Sequence, residues 1–108
     1  MAMRLTDKQR NMLTAAVRRH FGPGARLWVF GSRTDDRARG GDFDVMVWCD
    51  EASADHLYEA KLAMLAHLHG TPEFDGERID VLLFSPRLDP VPRPVQRVAM
   101  EQGVELTL

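Results

Sequence analysis

Two alternating segments, residues 42–48 and 78–84, flank one long amphipathic stretch, and no other feature of this chain restricts its fold as much. In the first segment Phe43, Val45 and Val47 share one side of a strand, and Asp42, Asp44, Met46 and Trp48 share the other. In the second, Ile79, Val81 and Leu83 face one way and Asp80, Leu82 and Phe84 the opposite way. Between them Ser53 is suited to an N-cap, and Leu57, Lys61, Met64, Leu65 and Leu68 fall along one side of a helix that Gly70 can close after His69. Strand, helix and strand in this order form a βαβ unit whose strands pair in parallel.

Other elements attach to this unit. Thr6-Asp7-Lys8-Gln9 has the form of a capping box, and Leu13, Ala16, Val17 and Phe21 follow at helical spacing, which predicts a helix over 7–20 ended by Gly22-Pro23-Gly24. Leu27-Trp28-Val29-Phe30 reads as a buried strand stopping at Gly31. Ser32-Arg33-Thr34-Asp35 can cap a helix of a turn or two, and Gly40-Gly41 reverses the chain. The short link to the next strand favours antiparallel pairing. Four of the six prolines fall in the irregular connector 85–94, and a last helix is expected from Pro94 to Gln102, with Gly103 at its end. The expected class is α/β (α+β): a small mixed sheet of three strands with helices packed on one face. Asp42, Asp44 and Asp80 then lie on the opposite face.

The 108 residues are 44% apolar and 28% charged, a composition suited to a single domain over 1–108. Cys49 is alone, so neither an internal disulfide nor a CxxC zinc or redox pair is expected. No apolar run nears about 20 residues, and charged side chains interrupt the N-terminal segment. A membrane span and a signal peptide are therefore not expected, and the anticipated location is cytoplasmic. The net charge of −2 hides an asymmetry: residues 1–39 carry nine Arg or Lys against three Asp, and residues 40–108 carry five against thirteen acids. An anionic ligand would look to the first third. An arginine-rich surface helix followed by a loop gives the same pattern.

Asp42 and Asp44 lie about 6.6 Å apart along one side of a strand. Two unit charges at that distance repel by roughly 2.5 kcal/mol at an effective dielectric near 20. Asp80 is an isolated charge within an otherwise apolar strand. Such a cluster makes sense if divalent cations neutralise it, and all-oxygen ligands select hard ions such as Mg²⁺ or Mn²⁺. The alternatives are a solvated strand start for Asp42 and Asp44, and a structural ion pair with Arg78 for Asp80. A strand ending at Gly31 and followed by Ser32 presents backbone N–H groups and a hydroxyl where a phosphate can sit, although Ser32 can also serve only as a helix cap.

Val29-Phe30-Gly31-Ser32-Arg33, then Arg39-Gly40-Gly41-Asp42-Phe43-Asp44-Val45, then Arg78-Ile79-Asp80-Val81 resembles the minimal nucleotidyltransferases of the DNA polymerase β superfamily. The likeness covers residues 27–84, and residues 95–104 are similar to the final helix of such proteins. It implies a polymerase β-like fold in which Gly31 and Ser32 hold the phosphates of an NTP, ATP foremost, with Arg33 as a further phosphate contact. Asp42 and Asp44 would bind two Mg²⁺ (or Mn²⁺) ions, and Asp80 would join one of them while orienting the acceptor hydroxyl. The implied reaction moves a nucleoside monophosphate onto a hydroxyl with loss of pyrophosphate. Phe43 occupies a position more often aliphatic. Small stand-alone members act as the antitoxin of a toxin-antitoxin pair beside a helical HEPN protein, in some cases by adenylylating it.

A non-catalytic binding module that neutralises a partner by complex formation is the competing expectation, and self-association stays open. The Arg-rich first helix lacks aromatic interleaving or a reading motif, so nucleic acid is not expected as a direct ligand. His67 and His69, two apart on a helix, diverge rather than forming an i, i+4 zinc pair, and are expected on the surface. Cys49 reads as a small half-buried hydrophobe. Trp28, Trp48 and Phe84 are expected in the core or on the sheet, with Trp48 or Phe84 able to touch a base.

Overall fold

The computed structural model describes residues 5–31, 43–89 and 91–108. Along the chain these form α1 (Asp7–Phe21), β1 (Arg26–Phe30), β2 (Phe43–Trp48), α2 (Ala54–His69), β3 (Ile79–Phe84), α3 (Pro94–Gln102) and β4 (Val104–Leu106). Among the described residues the chain is a small α+β domain with three helices and a four-stranded mixed sheet of order β3-β2-β1-β4. β2 and β3 pair in parallel and β1 pairs with β2 antiparallel, as the connection lengths predict. The expected short helix after Ser32 and the reversal at Gly40-Gly41 lie outside the described residues.

Local chemistry sets the helix boundaries. The Thr6 hydroxyl accepts from the Gln9 N–H, and the Gln9 side chain accepts from the Thr6 N–H, which completes the capping box. Ser53 accepts from the His56 N–H at the start of α2, and Gly70 closes that helix. No helix among the described residues is long and apolar enough to cross a membrane.

Leu13, Ala16 and Val17 of α1 and Met64 and Leu68 of α2 are buried against Leu27, Val29, Phe43, Val45, Val47, Ile79 and Val81. Phe74 meets Phe43 edge to face, with ring centroids 5.1 Å apart and planes at 67°. The alternation in β2 and β3 therefore points where the sequence placed it.

The expectation that all helices pack on one face is corrected. α3 lies on the other face, where Ala99 is buried with Trp28, Met46 and Phe84 and Met100 packs at the margin. Only the beginnings of β2 and β3 are acidic on that side; the rest is an apolar surface that needs its own cover. Gln96, Ala99, Met100 and Gly103 recur at the spacing of one helical face, which marks α3 as that cover. Three strands were expected, and a fourth is present: β4 pairs antiparallel with β1, Val104 opposite Val29 and Leu106 opposite Leu27.

Gln96 fastens α3 to the sheet. It is fully buried, its Nε2 donates to the Leu83 carbonyl at 2.9 Å, and its Oε1 accepts from the Arg93 N–H at 2.7 Å. Gln96→Leu keeps the bulk but removes both partners, and should cost about 1–3 kcal/mol. Urea denaturation checks this; an unchanged midpoint would contradict the role.

Candidate functional site

Among the described residues, three of the expected site positions, Gly31, Asp44 and Asp80, come to one end of the sheet. Phe30 at the end of β1 is opposite Asp44, and Asp44 is beside Asp80 on the parallel neighbour. Residues in register on adjacent strands share a face and sit about 4.7–4.9 Å apart in the hydrogen-bonding direction. The two carboxyl-bearing positions are thus neighbours although they lie 36 positions apart in sequence. Asp44 is partly buried and Asp80 is exposed. Just ahead of the pair, the Phe43 N–H donates to the Arg78 carbonyl at 2.9 Å, which anchors the start of β2 against β3.

Gly31 stands at the same end of the sheet. Its φ is +75°, and a β-carbon there would run into the Asp44 carboxylate. Only glycine offers both the left-handed conformation and the space. Gly31→Ala should lose about 1–2 kcal/mol to backbone strain and also displace the Asp44 side chain. Chemical denaturation measures the first effect, and a loss below about 0.5 kcal/mol would contradict it.

Arg78 Nε lies 3.6 Å from Asp80 Oδ1, so the structural ion pair considered from sequence is present. Its side chains are 75% and 48% exposed, and a pair this long and this solvated contributes at most about 1 kcal/mol. It does not by itself account for a carboxylate placed beside Asp44. The remaining expected residues, Ser32, Arg33 and Asp42, lie outside the described residues.

Asp44 and Asp80 fit a hard divalent cation. Mg²⁺ binds through one or two carboxylates together with waters and substrate phosphates, so two neighbouring carboxylates are a sufficient protein contribution. Among the described residues no group of three His, Cys, Asp or Glu side chains could hold a metal.

α3 contributes an unforeseen neighbour. Its carboxyl end reaches the end of β1: a β-carbon on Gly103 would stand 2.9 Å from the Val29 carbonyl oxygen and 3.1 Å from the Phe30 side chain. No basic residue occupies the last turn of α3, so the negative end of its dipole is not neutralised from its own side chains. The small residues Ala99 and Gly103 on one face were the sequence signal for this close approach.

The aromatic expectations divide. Trp28 and Phe84 are buried beneath α3, which removes Phe84 as a contact for a base. Trp48 and Phe30 are partly buried at the edge of that cluster. Phe30, directly across from Asp44, is the aromatic side chain that sequence reasoning overlooked. Cys49 is partly buried with its Sγ 3.5 Å from the Phe21 carbonyl oxygen, and burial, followed by Glu51 and Asp50, pushes its thiol pKa up. That is the reverse of what a nucleophilic cysteine requires.

No protein-family model matches this chain, and no curated protein matches it significantly.

Proposed function

We propose that the chain is a Mg²⁺-dependent minimal nucleotidyltransferase with a polymerase β-like fold, moving a nucleoside monophosphate, AMP foremost, from its triphosphate onto a hydroxyl. The observation that carries this reading is the lateral pairing of Asp44 with Asp80, with Gly31 closed onto Asp44. Asp44 and Asp42 would hold the Mg²⁺ or Mn²⁺ ions, and Asp80 would share one of them and orient the attacking hydroxyl. The backbone at Gly31 and Ser32 would receive the triphosphate, with Arg33 as a further contact. Bound Mg²⁺ supplies charge neutralisation at the phosphate and activation of the hydroxyl. By the resemblance in motif order, the acceptor would be a helical HEPN-type protein in the cytoplasm and this chain its antitoxin.

The test is transfer of label from ATP marked at the α-phosphate to that protein in the presence of Mg²⁺, with release of pyrophosphate. Labelling only from ATP marked at the γ-phosphate, in a parallel reaction, would replace nucleotidyl transfer with phosphoryl transfer.

A second reading, a binding module that neutralises its partner without chemistry, is favoured by the exposed apolar side chains Val91, Val95 and Val98 on and before α3. Coexpression separates the two. If Asp44→Asn protects against the partner as well as the native chain does, binding suffices; if protection fails while the complex persists, chemistry is required.

A further inference from the structure

We propose a second metal site, for a borderline transition-metal ion such as Zn²⁺, formed by His20 Nε2 on α1 and His67 Nδ1 on α2. These nitrogens face each other 3.4 Å apart, from residues 47 positions apart in sequence. Without a metal the two nitrogens share one hydrogen bond, longer than the usual range of about 2.7–3.2 Å. A tetrahedral ion with bonds of about 2.0–2.1 Å holds two of its nitrogens about 3.3–3.4 Å apart, which is the spacing found. The rings stand edge to face at 69° with centroids 5.5 Å apart, so they do not stack.

The scaffold holds this geometry in place. Each histidine lies in the last turn of its helix, and each helix is anchored close by: Ala16 and Val17 precede His20, and Met64 and Leu68 bracket His67, all fully buried. Burial first, then His67 and Arg19, lowers the pKa of His20, which favours the neutral imidazole that a metal needs. Cys49, Glu51 and His56 line a cavity of about 110 Å³ beside His20, but no third His, Cys, Asp or Glu among the described residues joins the pair. The site is therefore bidentate, leaving positions for water or an outside donor. Imidazole ligands suit Zn²⁺, Ni²⁺ and Cu²⁺ rather than Mg²⁺, so this ion class differs from that of the carboxylate pair.

Sequence spacing alone concealed the site. His67 and His69 diverge, as expected from their separation; His69 Nε2 lies 2.9 Å from the Glu77 carbonyl oxygen, and the partner of His67 comes from another helix.

The test is Zn²⁺ titration of the tag-free chain in excess Mg²⁺, followed by calorimetry and by the unfolding midpoint. One ion per chain should bind and raise the midpoint. His20→Gln and His67→Gln should each weaken binding by about ten-fold or more, while His56→Gln, His69→Gln and Asp44→Asn leave it unchanged. In the native chain, Zn²⁺ should shift the imidazole nitrogen resonances of His20 and His67 selectively, which keeps the test valid if a variant fails to fold. Absence of binding at millimolar Zn²⁺ would overturn the proposal. So would native affinity in both the His20→Gln and His67→Gln variants, loss in the His56→Gln variant, or shifts confined to other histidines.

Discussion

Asp44→Asn should reduce nucleotidyl transfer by more than about 100-fold while changing unfolding free energy by less than about 1 kcal/mol. Loss of groups that merely support a metal ligand already costs about 10–100-fold, and Asp44 is proposed as a ligand itself. Asp44 stands beside Asp80 in the register, and like charges on neighbouring strands disfavour each other. Asn keeps the volume and a hydrogen-bonding side chain and relieves that repulsion. Initial rates with α-labelled ATP, paired with urea denaturation, separate chemistry from stability. A rate within about three-fold of the native chain would remove Asp44 from the site.

Phe43→Ala should have the largest effect on stability, about 3–5 kcal/mol. Its side chain is fully buried and meets Phe74 edge to face, a geometry worth about 0.5–1.5 kcal/mol beyond area burial. Against a total of about 5–15 kcal/mol, that loss leaves the domain close to unfolding at modest temperature. Phe43 directly precedes Asp44, so the side chain that fills the core beneath the sheet sets the strand from which the Asp44 carboxylate projects. If the proposed site binds Mg·ATP, that affinity should fall together with stability, although Phe43 lies on the sheet face opposite Asp44. A shift below about 1 kcal/mol in denaturation would contradict this coupling.

Most elements could be read from the chain because local rules and burial agree. The capping box at Thr6 and Gln9, the alternation in β2 and β3, and the one-sided apolar pattern ending at Gly70 each matched the structure within a residue or two. The lateral meeting of Asp44 and Asp80 was also inferable, since parallel pairing of two alternating strands puts their acidic starts together. β4 was not legible: three residues give no usable periodicity, and Val104 pairs with Val29 from 75 positions away. The side taken by α3 is not legible from the strand starts alone, because Asp44 and Asp80 give that sheet face a polar end. The same face also carries Trp28, Met46 and Phe84, an apolar load that water would not cover. Long-range partnership likewise hid the contact of His20 with His67 and the closure of Gly31 onto Asp44.

Calorimetric titration of the full chain with ATP, with and without Mg²⁺, addresses the carboxylate site most directly because it needs no acceptor. The expected result is one Mg²⁺-dependent nucleotide per chain, with binding lost in both Asp44→Asn and Asp80→Asn. At 100 times the dissociation constant the nucleotide should stabilise the native chain by about 2.7 kcal/mol. No binding, or binding that ignores both Mg²⁺ and these substitutions, would contradict the assignment of Asp44 and Asp80 to a metal-nucleotide site.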